Sequence, residues 1–275
     1  MNIVVFGASG FLGTRLCLHL KARHSVSMPS HEDVDITSSE SVKELLGNIR
    51  PDIVINCAAI SSTAYAQQHP YISYSVNVTG NVNIAMACKR VGAKLIYMSS
   101  DQVYGGVKTK GLLAEDEPLM PTGIYGQHKL EAEQAICNIL PTAVGLRLTW
   151  MYDSPDSPLR LNQNILINMR NAGKENTPVR ACSNEFRGLT NVWDVVRNIE
   201  KTFTLPGGVY NFGAENVLNS FETYRLIASQ TGLDTALIIE DNTWERNLSM
   251  SVAKVRNHGI DFPPTVPLRI TSQEE

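Results

Sequence analysis

The sequence predicts an α/β protein whose core is a doubly wound parallel β-sheet, and two features of the chain indicate this. Short apolar runs rich in β-branched residues, typical of strands buried on both faces of a sheet, alternate with helical patterns through residue 152. A glycine-rich turn joins the first strand to the first helix, as in sheets that bind dinucleotides. After residue 152 the alternation becomes irregular, which predicts a smaller C-terminal substrate-binding part.

Composition narrows the class of protein. Hydrophobic residues make up 43% and charged residues 19% of the chain, the balance of an ordinary globular protein. The net charge of −3 gives no argument for binding nucleic acid or an anionic membrane. The five cysteines and six histidines lack the spacing of a disulfide framework or a metal site, so we expect reduced thiols and no metal. With no signal peptide and no apolar run of about 20 residues in view, a cytoplasmic location is expected.

The first β–α unit predicts a phosphate-binding turn. Residues 2–6 form an apolar strand, residues 7–13 carry three glycines, and a helical pattern continues to Leu20. Glycines allow the backbone to approach a pyrophosphate closely, and the helix N-terminus supplies free N–H groups and a positive dipole end. A tight turn without a ligand is the alternative. The residues that we expect to contact a cofactor here are Gly7, Ser9, Gly10, Phe11, Leu12 and Gly13.

The second predicted strand and the residues after it bear on the choice between NAD and NADP as the cofactor. A weak strand over residues 25–28 is followed by Pro29-Ser30-His31, without the carboxylate that would bind the ribose 2′-hydroxyl of NAD. We therefore favour NADP, as NADPH, and leave NAD open. Asp35 and Ile36 come next, and the aspartate either contacts the adenine or is a solvated loop carboxylate. Residues 37–40 predict a capping box for the helix that ends at Ile49.

Small residues end the third predicted strand, over residues 53–56. Ala58 and Ala59 follow it, where a ligand is able to lie against the backbone. A helix is predicted over residues 71–91, and a strand over residues 94–98 ends at Ser99 and Ser100. Because the carboxyl ends of parallel strands share one edge of the sheet, these residues are expected on the cofactor side.

Tyr125 and Lys129 lie one turn apart on the next predicted helix, which ends near Ile139, and share one of its faces. A nearby ammonium favours the ionised form of a phenol, whose pKa is ordinarily about 10. Ser100 is able to hold the oxygen of a reacting carbonyl with a hydrogen bond that strengthens as charge develops. With a hydride carrier nearby, this arrangement predicts redox chemistry on a carbonyl or alcohol. The alternative is an amphipathic helix that contains Tyr and Lys by chance.

The C-terminal half predicts one strand and one helix that return to the sheet. Residues 159–172 predict a helix, residues 178–182 a strand, residues 185–188 a loop, and residues 219–231 a capped helix. Residues 192–203 predict a helix capped by Asn191, and residues 209–213 predict a strand. We therefore predict a dinucleotide-binding domain over residues 1–152, with about 191–213 returning to it, and a smaller substrate-binding part over residues 153–275.

Spaced motifs across the whole chain resemble the extended short-chain dehydrogenase/reductase family. They are GASGFLG at 7–13, DI at 35–36, NCAA at 56–59, VNVTGN at 76–81, SSDQVYG at 99–105, YGQHK at 125–129 and VYNFG at 209–213. The resemblance implies a Rossmann-type fold. It also implies that Ser100, Tyr125 and Lys129 are the catalytic residues, that Lys129 lowers the pKa of Tyr125, and that Asn77 lies on or near the cofactor.

Within that family, DITS at 35–38 and RLTWMY at 147–152 are most similar to dTDP-4-dehydrorhamnose reductases and related sugar-nucleotide 4-ketoreductases. This implies that Trp150 faces the sugar. The segment around Arg187 is more similar to the epimerases, in which the arginine meets a diphosphate. Gln102 stands where dehydratases have a glutamate, and a glutamine cannot transfer that proton. Asp101 beside it is either an acid or a hydrogen-bond acceptor.

These resemblances imply an NADPH-dependent reductase of a nucleotide-linked 4-keto-6-deoxysugar. Two alternatives stay open, an NAD-dependent sugar-nucleotide epimerase and a non-catalytic NADP-binding regulatory subunit. The expected partner is a nucleotide-sugar substrate, and a homodimer also stays open.

Overall fold

A six-stranded parallel sheet forms the centre of the computed structural model, which describes residues 1–269. Its strands follow the order β10-β5-β4-β3-β1-β2. The strands in it are β1 (Asn2–Phe6), β2 (Ser25–Ser27), β3 (Ile53–Asn56), β4 (Lys94–Ser100), β5 (Val144–Leu148) and β10 (Gly208–Phe212). The predicted doubly wound parallel sheet is therefore confirmed, and the strand near residue 210 pairs with β5 at its edge.

Helices cover both faces of this sheet. The helices within residues 1–269 are α1 (Phe11–Leu20), α2 (Ser39–Ile49), α3 (Thr63–Gln68), α4 (Pro70–Tyr74), α5 (Gly80–Val91), α6 (Ile124–Ile139), α7 (Ile165–Glu175), α8 (Val192–Asn198), α9 (Ser220–Thr231) and α10 (Ala253–Arg256). Alternate residues of β1 enter different apolar clusters, since Ile3 and Val5 pack with α1 and α8 while Val4 and Phe6 pack with α2 and α5. The apolar character of both strand faces thus explains why helices are needed on each side.

The direction of winding reverses at β1. β2 pairs with one side of β1 and β3 with the other, so the turns after β1 and β3 lie beside each other at the carboxyl edge of the sheet. β4 pairs with β3, which places Ser100 on the same edge. Open α/β sheets bind ligands at such a reversal, and the chain order alone therefore positions the cleft.

Three small parallel strand pairs build the rest. The remaining strands are β6 (Trp150–Tyr152), β7 (Val179–Cys182), β8 (Glu185–Arg187), β9 (Leu189–Asn191), β11 (Ile238–Asp241) and β12 (Arg246–Leu248). They pair as β6 with β9, β7 with β11, and β8 with β12. A further apolar cluster joins α7 and α9 to these strands, so this region has its own packing. No helix among residues 1–269 is long and apolar enough to cross a membrane.

Several predicted boundaries were wrong. The helix predicted over residues 71–91 is interrupted by a π-helical turn at Ser75–Thr79. The helix predicted from residue 159 begins only at Ile165, because the side chain of Asn164 accepts hydrogen bonds from the next turn and caps it there. Residues 185–187, predicted as a loop, form β8 because they pair with β12, a partner 61 residues away.

The predicted capping box at residues 37–40 is also corrected. Ser38 caps α2 by accepting a hydrogen bond from the Ser41 N–H, while the Thr37 hydroxyl donates to Asp35. The caps predicted at Asn191 and Asn219 are confirmed, and Asn219 and Glu222 form a reciprocal capping box.

Candidate functional site

Two adjoining cavities run along the carboxyl edge of the sheet. One has a volume of about 850 Å³ and the other of about 760 Å³, and both are lined by Gly7, Ser9 and Ala58. The predicted site residues that line one or both are Gly7, Ser9, Gly10, Phe11, Leu12, Gly13, Asp35, Ile36, Ala58, Ala59, Ser99, Ser100, Asp101, Gln102, Tyr125, Lys129, Trp150 and Arg187. Residues 28–31 line only the smaller cavity, and Ser100 and Tyr125 line only the larger.

The glycine turn is shaped for close approach. Gly7 has a φ of +71°, and a Cβ there would lie 2.5 Å from the backbone nitrogen of Ala58. A Cβ at Gly13 would lie 2.1 Å from the carbonyl oxygen of Gly7. α1 begins directly after Gly10 and has no acidic residue in its first turn. Its N-terminus therefore offers N–H groups and no repelling carboxylate, so these residues fit the pyrophosphate of a dinucleotide.

Asn77 supports the loop after β3 from inside the protein, and its predicted place on or near the cofactor stays a prediction. It is fully buried and lines neither cavity. Its amide accepts a hydrogen bond from the N–H of Ile60 and donates to the carbonyl of Ile60, at 3.0 Å each. Asn77 thus fixes the loop that follows β3, including the backbone around Ala58.

The segment that follows β2 lines part of the smaller cavity. Met28, Pro29, Ser30 and His31 line it together with Asp35 and Ile36. Oδ1 of Asp35 accepts from the N–H and the hydroxyl of Thr37 at 2.8 Å each, and these bonds lower the pKa of Asp35. Its carboxylate is therefore ionised at neutral pH and is held by its own loop.

Ser100, Tyr125 and Lys129 converge at the mouth of the larger cavity. Ser100 is the last residue of β4, and Tyr125 and Lys129 lie on the first two turns of α6. The Ser100 hydroxyl and the Tyr125 phenol share a hydrogen bond. The ammonium of Lys129 lies 5.6 Å from the centroid of the Tyr125 ring and donates to the carbonyl oxygen of Met98 at 2.8 Å.

The pKa of Tyr125 differs from the expectation that Lys129 lowers it. Burial raises the pKa of Tyr125 well above 10, the charge of Asp101 raises it further, and the Ser100 hydrogen bond lowers it. Burial also lowers the pKa of Lys129 from 10.5 to about 8, against the opposing effects of Cys57 and Glu133. The expectation that Lys129 lowers the pKa of Tyr125 is thus not met in this structure, because burial and Asp101 prevail.

Ser99 fastens α6 to the sheet. Its hydroxyl donates to Oε1 of Glu133 at 2.5 Å, although the residue also lines the larger cavity. Glu133 lies one turn beyond Lys129 and forms a buried ion pair with Arg147 of β5, at 2.8 Å. This polar group ties the helix to β4 and β5 and so positions Tyr125.

Asp101 and Arg187 form an ion pair across the cavity. Oδ2 of Asp101 lies 2.8 Å from Nη2 of Arg187, and both side chains are largely buried. The guanidinium stacks on the Trp150 ring at 5.1 Å from its centroid. Gln102 donates to Oδ1 of the same aspartate at 3.2 Å. The predicted substrate residues thus form one contiguous wall.

Several residues that line the larger cavity were missed by sequence reasoning, and two arginines are among them. Arg160 donates to the carbonyl of Ser9 at 3.3 Å, and Asn162 has a buried Oδ1 without a hydrogen-bond partner. Both lie where a helix was predicted, and the signal that reveals them is the cap at Asn164. Arg246 on β12 and Cys57 after β3 also line the cavity. No group of His, Cys, Asp or Glu in residues 1–269 is arranged to hold a metal ion.

The parallel sheet, the glycine turn and the Ser–Tyr–Lys group together define an extended short-chain dehydrogenase/reductase. More narrowly, the chain belongs to the family described as RmlD substrate binding domain, which it matches over residues 1–251.

Two relatives show the range of similarity. The spore coat polysaccharide biosynthesis protein SpsK of Bacillus subtilis is 29% identical over 86% of this chain and 82% of its own length. The dTDP-4-dehydrorhamnose reductase of Mycolicibacterium smegmatis is 36% identical over 56% of this chain, which spans only 47% of that relative.

Solved structures share the fold. The crystal structure of dTDP-4-dehydrorhamnose reductase from Bacillus anthracis in complex with NADP has a TM-score of 0.84 and 25% identity, and the match covers 96% of this chain and 95% of that chain. A Thermus thermophilus UDP-glucose 4-epimerase in complex with NAD has a TM-score of 0.78 and 21% identity, over 95% and 94% of the two chains.

Proposed function

We propose that this protein is an NADPH-dependent reductase of a nucleotide-linked 4-keto-6-deoxysugar. The observation that carries the proposal is the convergence of Ser100, Tyr125 and Lys129 at the mouth of a cleft that begins at the glycine turn. The family match and the B. anthracis reductase with bound NADP support the substrate class and the cofactor.

The residues of this chain have distinct roles in the proposal. NADPH supplies the hydride when bound, and Gly7, Gly10 and Gly13 hold its pyrophosphate. Tyr125 gives its phenolic proton to the oxygen that becomes the alcohol, and Ser100 donates a hydrogen bond to the same oxygen. Lys129 carries a positive charge beside them and interacts with the cofactor ribose. The growing negative charge on the sugar oxygen favours proton release from a phenol whose pKa is otherwise raised.

Three arginines give the cavity the charge that a nucleotide sugar requires. Arg160, Arg187 and Arg246 line it, and Asp101 is the single acidic residue among its lining side chains within residues 1–269. The Nε atom of Arg187 is buried and has no hydrogen-bond partner. A diphosphate oxygen would satisfy that donor, which supports an anionic substrate.

The test is oxidation of NADPH and NADH in the presence of enzymatically generated dTDP-, GDP- and UDP-linked 4-keto-6-deoxyhexoses. We expect turnover with at least one of them and a preference for NADPH. Tyr125→Phe keeps the ring and removes the proton donor, so turnover falls about 100-fold or more while NADPH binding persists. Tyr71→Phe, at an 88% exposed tyrosine outside both cavities, is the matched control and keeps full activity.

Two results would contradict the proposal. Tightly held NAD that co-purifies, with activity that needs no added NADPH, would indicate the epimerase. A stable complex with another protein and no consumption of NADPH with any keto-sugar would indicate the regulatory subunit. The domain boundary at residue 152, the cytoplasmic location and the homodimer stay predictions, which limited proteolysis, cell fractionation and size-exclusion chromatography test.

A further inference from the structure

Asp101 is bonded directly to the hydroxyl that the proposed reaction needs. Its Oδ1 accepts a hydrogen bond from the Ser100 hydroxyl at 3.1 Å and another from the Gln102 amide at 3.2 Å. Its Oδ2 accepts from Arg187 at 2.8 Å. The Asp101 residue is only 2% exposed, so the guanidinium of Arg187 is the positive charge that compensates it.

This arrangement sets up a competition for one proton. A serine hydroxyl has a single hydrogen to donate, so the Ser100 bond to Asp101 Oδ1 competes with the bond to the Tyr125 oxygen that lowers the pKa of Tyr125. To bind the oxygen of a substrate carbonyl, the hydroxyl must turn away from the carboxylate. The negative charge of Asp101 also opposes ionisation of the nearby Tyr125. An uncompensated Asp101 would therefore hinder both groups that act on the carbonyl oxygen.

Arg187 is placed to relieve that hindrance. Its position is fixed by β8 and by the Trp150 ring, and its Nη2 bonds to Asp101 while its buried Nε has no hydrogen-bond partner. We propose that Arg187 is a positioning residue for the reduction, because its pairing with Asp101 frees the Ser100 hydroxyl for the substrate and favours proton donation by Tyr125. This inference rests on the proposed function and adds to Arg187 a role beyond contact with the substrate.

Arg246 provides a matched control. It lines the same cavity, stacks on a tryptophan, Trp244, at the same 5.1 Å, and pairs with a carboxylate, Glu185. Its partner makes no hydrogen bond to Ser100, since the bonds of Glu185 go to Ser220 and Arg246. Loss of Arg246 removes a cavity charge and leaves Asp101 compensated.

The experiment is a double-mutant cycle in the full-length protein. R187M, D101N, R187M/D101N, R246M and R246M/D101N are assayed for kcat and KM from about pH 6 to about pH 9 with the keto-sugar that wild type reduces. We expect R187M and R246M both to raise KM. Only R187M lowers kcat strongly, by about tenfold or more, because only that variant leaves Asp101 without its counter-charge.

The decisive variant is R187M/D101N. The neutral amide removes the charge that Arg187 compensated, so kcat rises about tenfold above that of R187M, whereas D101N gives R246M no such recovery. Equal impairment of R187M and R187M/D101N at every pH would overturn the inference and leave Arg187 as a substrate ligand only. Equal recovery of both arginine variants would also overturn it, since the effect would then be one of total cavity charge.

A second measurement separates this inference from the proposed function. The free energy of unfolding needs no substrate, and R187M is expected to lower it while D101N restores part of the loss, because a buried unpaired carboxylate is costly. If wild type reduces a keto-sugar but the kcat cycle shows no coupling, the inference fails and the function stands. If wild type reduces none while the unfolding cycle shows coupling, the proposed function is refuted, and with it the role of the pair in reduction.

Discussion

Lys129→Met replaces a buried ammonium by an apolar side chain of similar length. Lys129 is 3% exposed and makes one hydrogen bond, to the Met98 carbonyl. Burial lowers its pKa from 10.5 to about 8. At about 1.4 kcal/mol per pKa unit, burying the charged form costs roughly 3 kcal/mol, while the orphaned carbonyl costs about 1–2 kcal/mol in the variant. We therefore expect the variant to be about 1–2 kcal/mol more stable than wild type at pH 7 and to lose most activity.

The sign of the pH dependence follows from proton binding. Between about pH 8 and pH 10.5 the unfolded chain retains the Lys129 proton and the folded chain releases it, so wild type gains stability as pH rises. Below pH 8 both states are protonated and the cost of burial is fully present. The advantage of the variant is thus largest at neutral pH and shrinks by about 2 kcal/mol by pH 9.5.

Urea unfolding of both proteins at pH 7 and pH 9.5 measures this difference. Lys254→Met is the matched control, because the Lys254 ammonium also donates to a backbone carbonyl, at 2.7 Å, and lies over a tyrosine ring, at 4.4 Å, but is exposed. Its replacement removes no buried charge, so the free energy of unfolding at pH 7 should differ from that of wild type by about 0.5 kcal/mol or less. A Lys129→Met protein that is less stable at pH 7, or a difference that is the same at both pH values, would refute the reasoning.

Two further substitutions test the cleft and its support. Gly13→Ala places a Cβ 2.1 Å from the Gly7 carbonyl, so NADPH binding measured by fluorescence titration should be lost, whereas Gly47→Ala, with no atom within 4 Å, should raise stability by about 0.5–1 kcal/mol. NADPH binding by Gly13→Ala at wild-type affinity would contradict this account of the turn. Glu133→Gln leaves the buried Arg147 guanidinium without its counter-charge, and thermal and urea unfolding should show a loss of about 3 kcal/mol. A loss below about 1 kcal/mol, the size typical of a surface pair, would show that this pair does not hold α6.

The parts of the fold that sequence reasoning predicted correctly are those with a local signal. The strand at residues 2–6, the glycine turn and the caps at Asn191 and Asn219 each depend on neighbouring residues only. β8 was missed because its partner lies 61 residues away, and nothing in three residues such as Glu185–Arg187 indicates that pairing. The boundary at Asn164 was missed because an apolar helical period continues smoothly into the residues before it.

The candidate site likewise has parts that the sequence predicts and parts that it does not. Motifs with fixed spacing predicted the glycine turn at residues 7–13 and the group of Ser100, Tyr125 and Lys129. The structure places both along one cavity. The acidity of Tyr125 was not predictable, since it depends on burial and on Asp101, neither of which the helix spacing reveals. Arg246 was not predictable either, because it reaches the cavity through the pairing of β12 with β8.

The geometry of the candidate site depends on polar contacts that α6 makes with the sheet. The helix begins at Gly123 without a side-chain cap, and it has no acidic residue in its first turn and no basic residue in its last. Such a helix is positioned by tertiary contacts more than by its own ends. Tyr125, Lys129 and Glu133 form one stripe at successive turns. Lys129 donates a hydrogen bond to β4, and Glu133 bonds to residues of both β4 and β5. Tyr125 is the first residue of the stripe and lies beside Ser100. The contacts of Lys129 and Glu133 with the sheet therefore determine where the Tyr125 phenol lies.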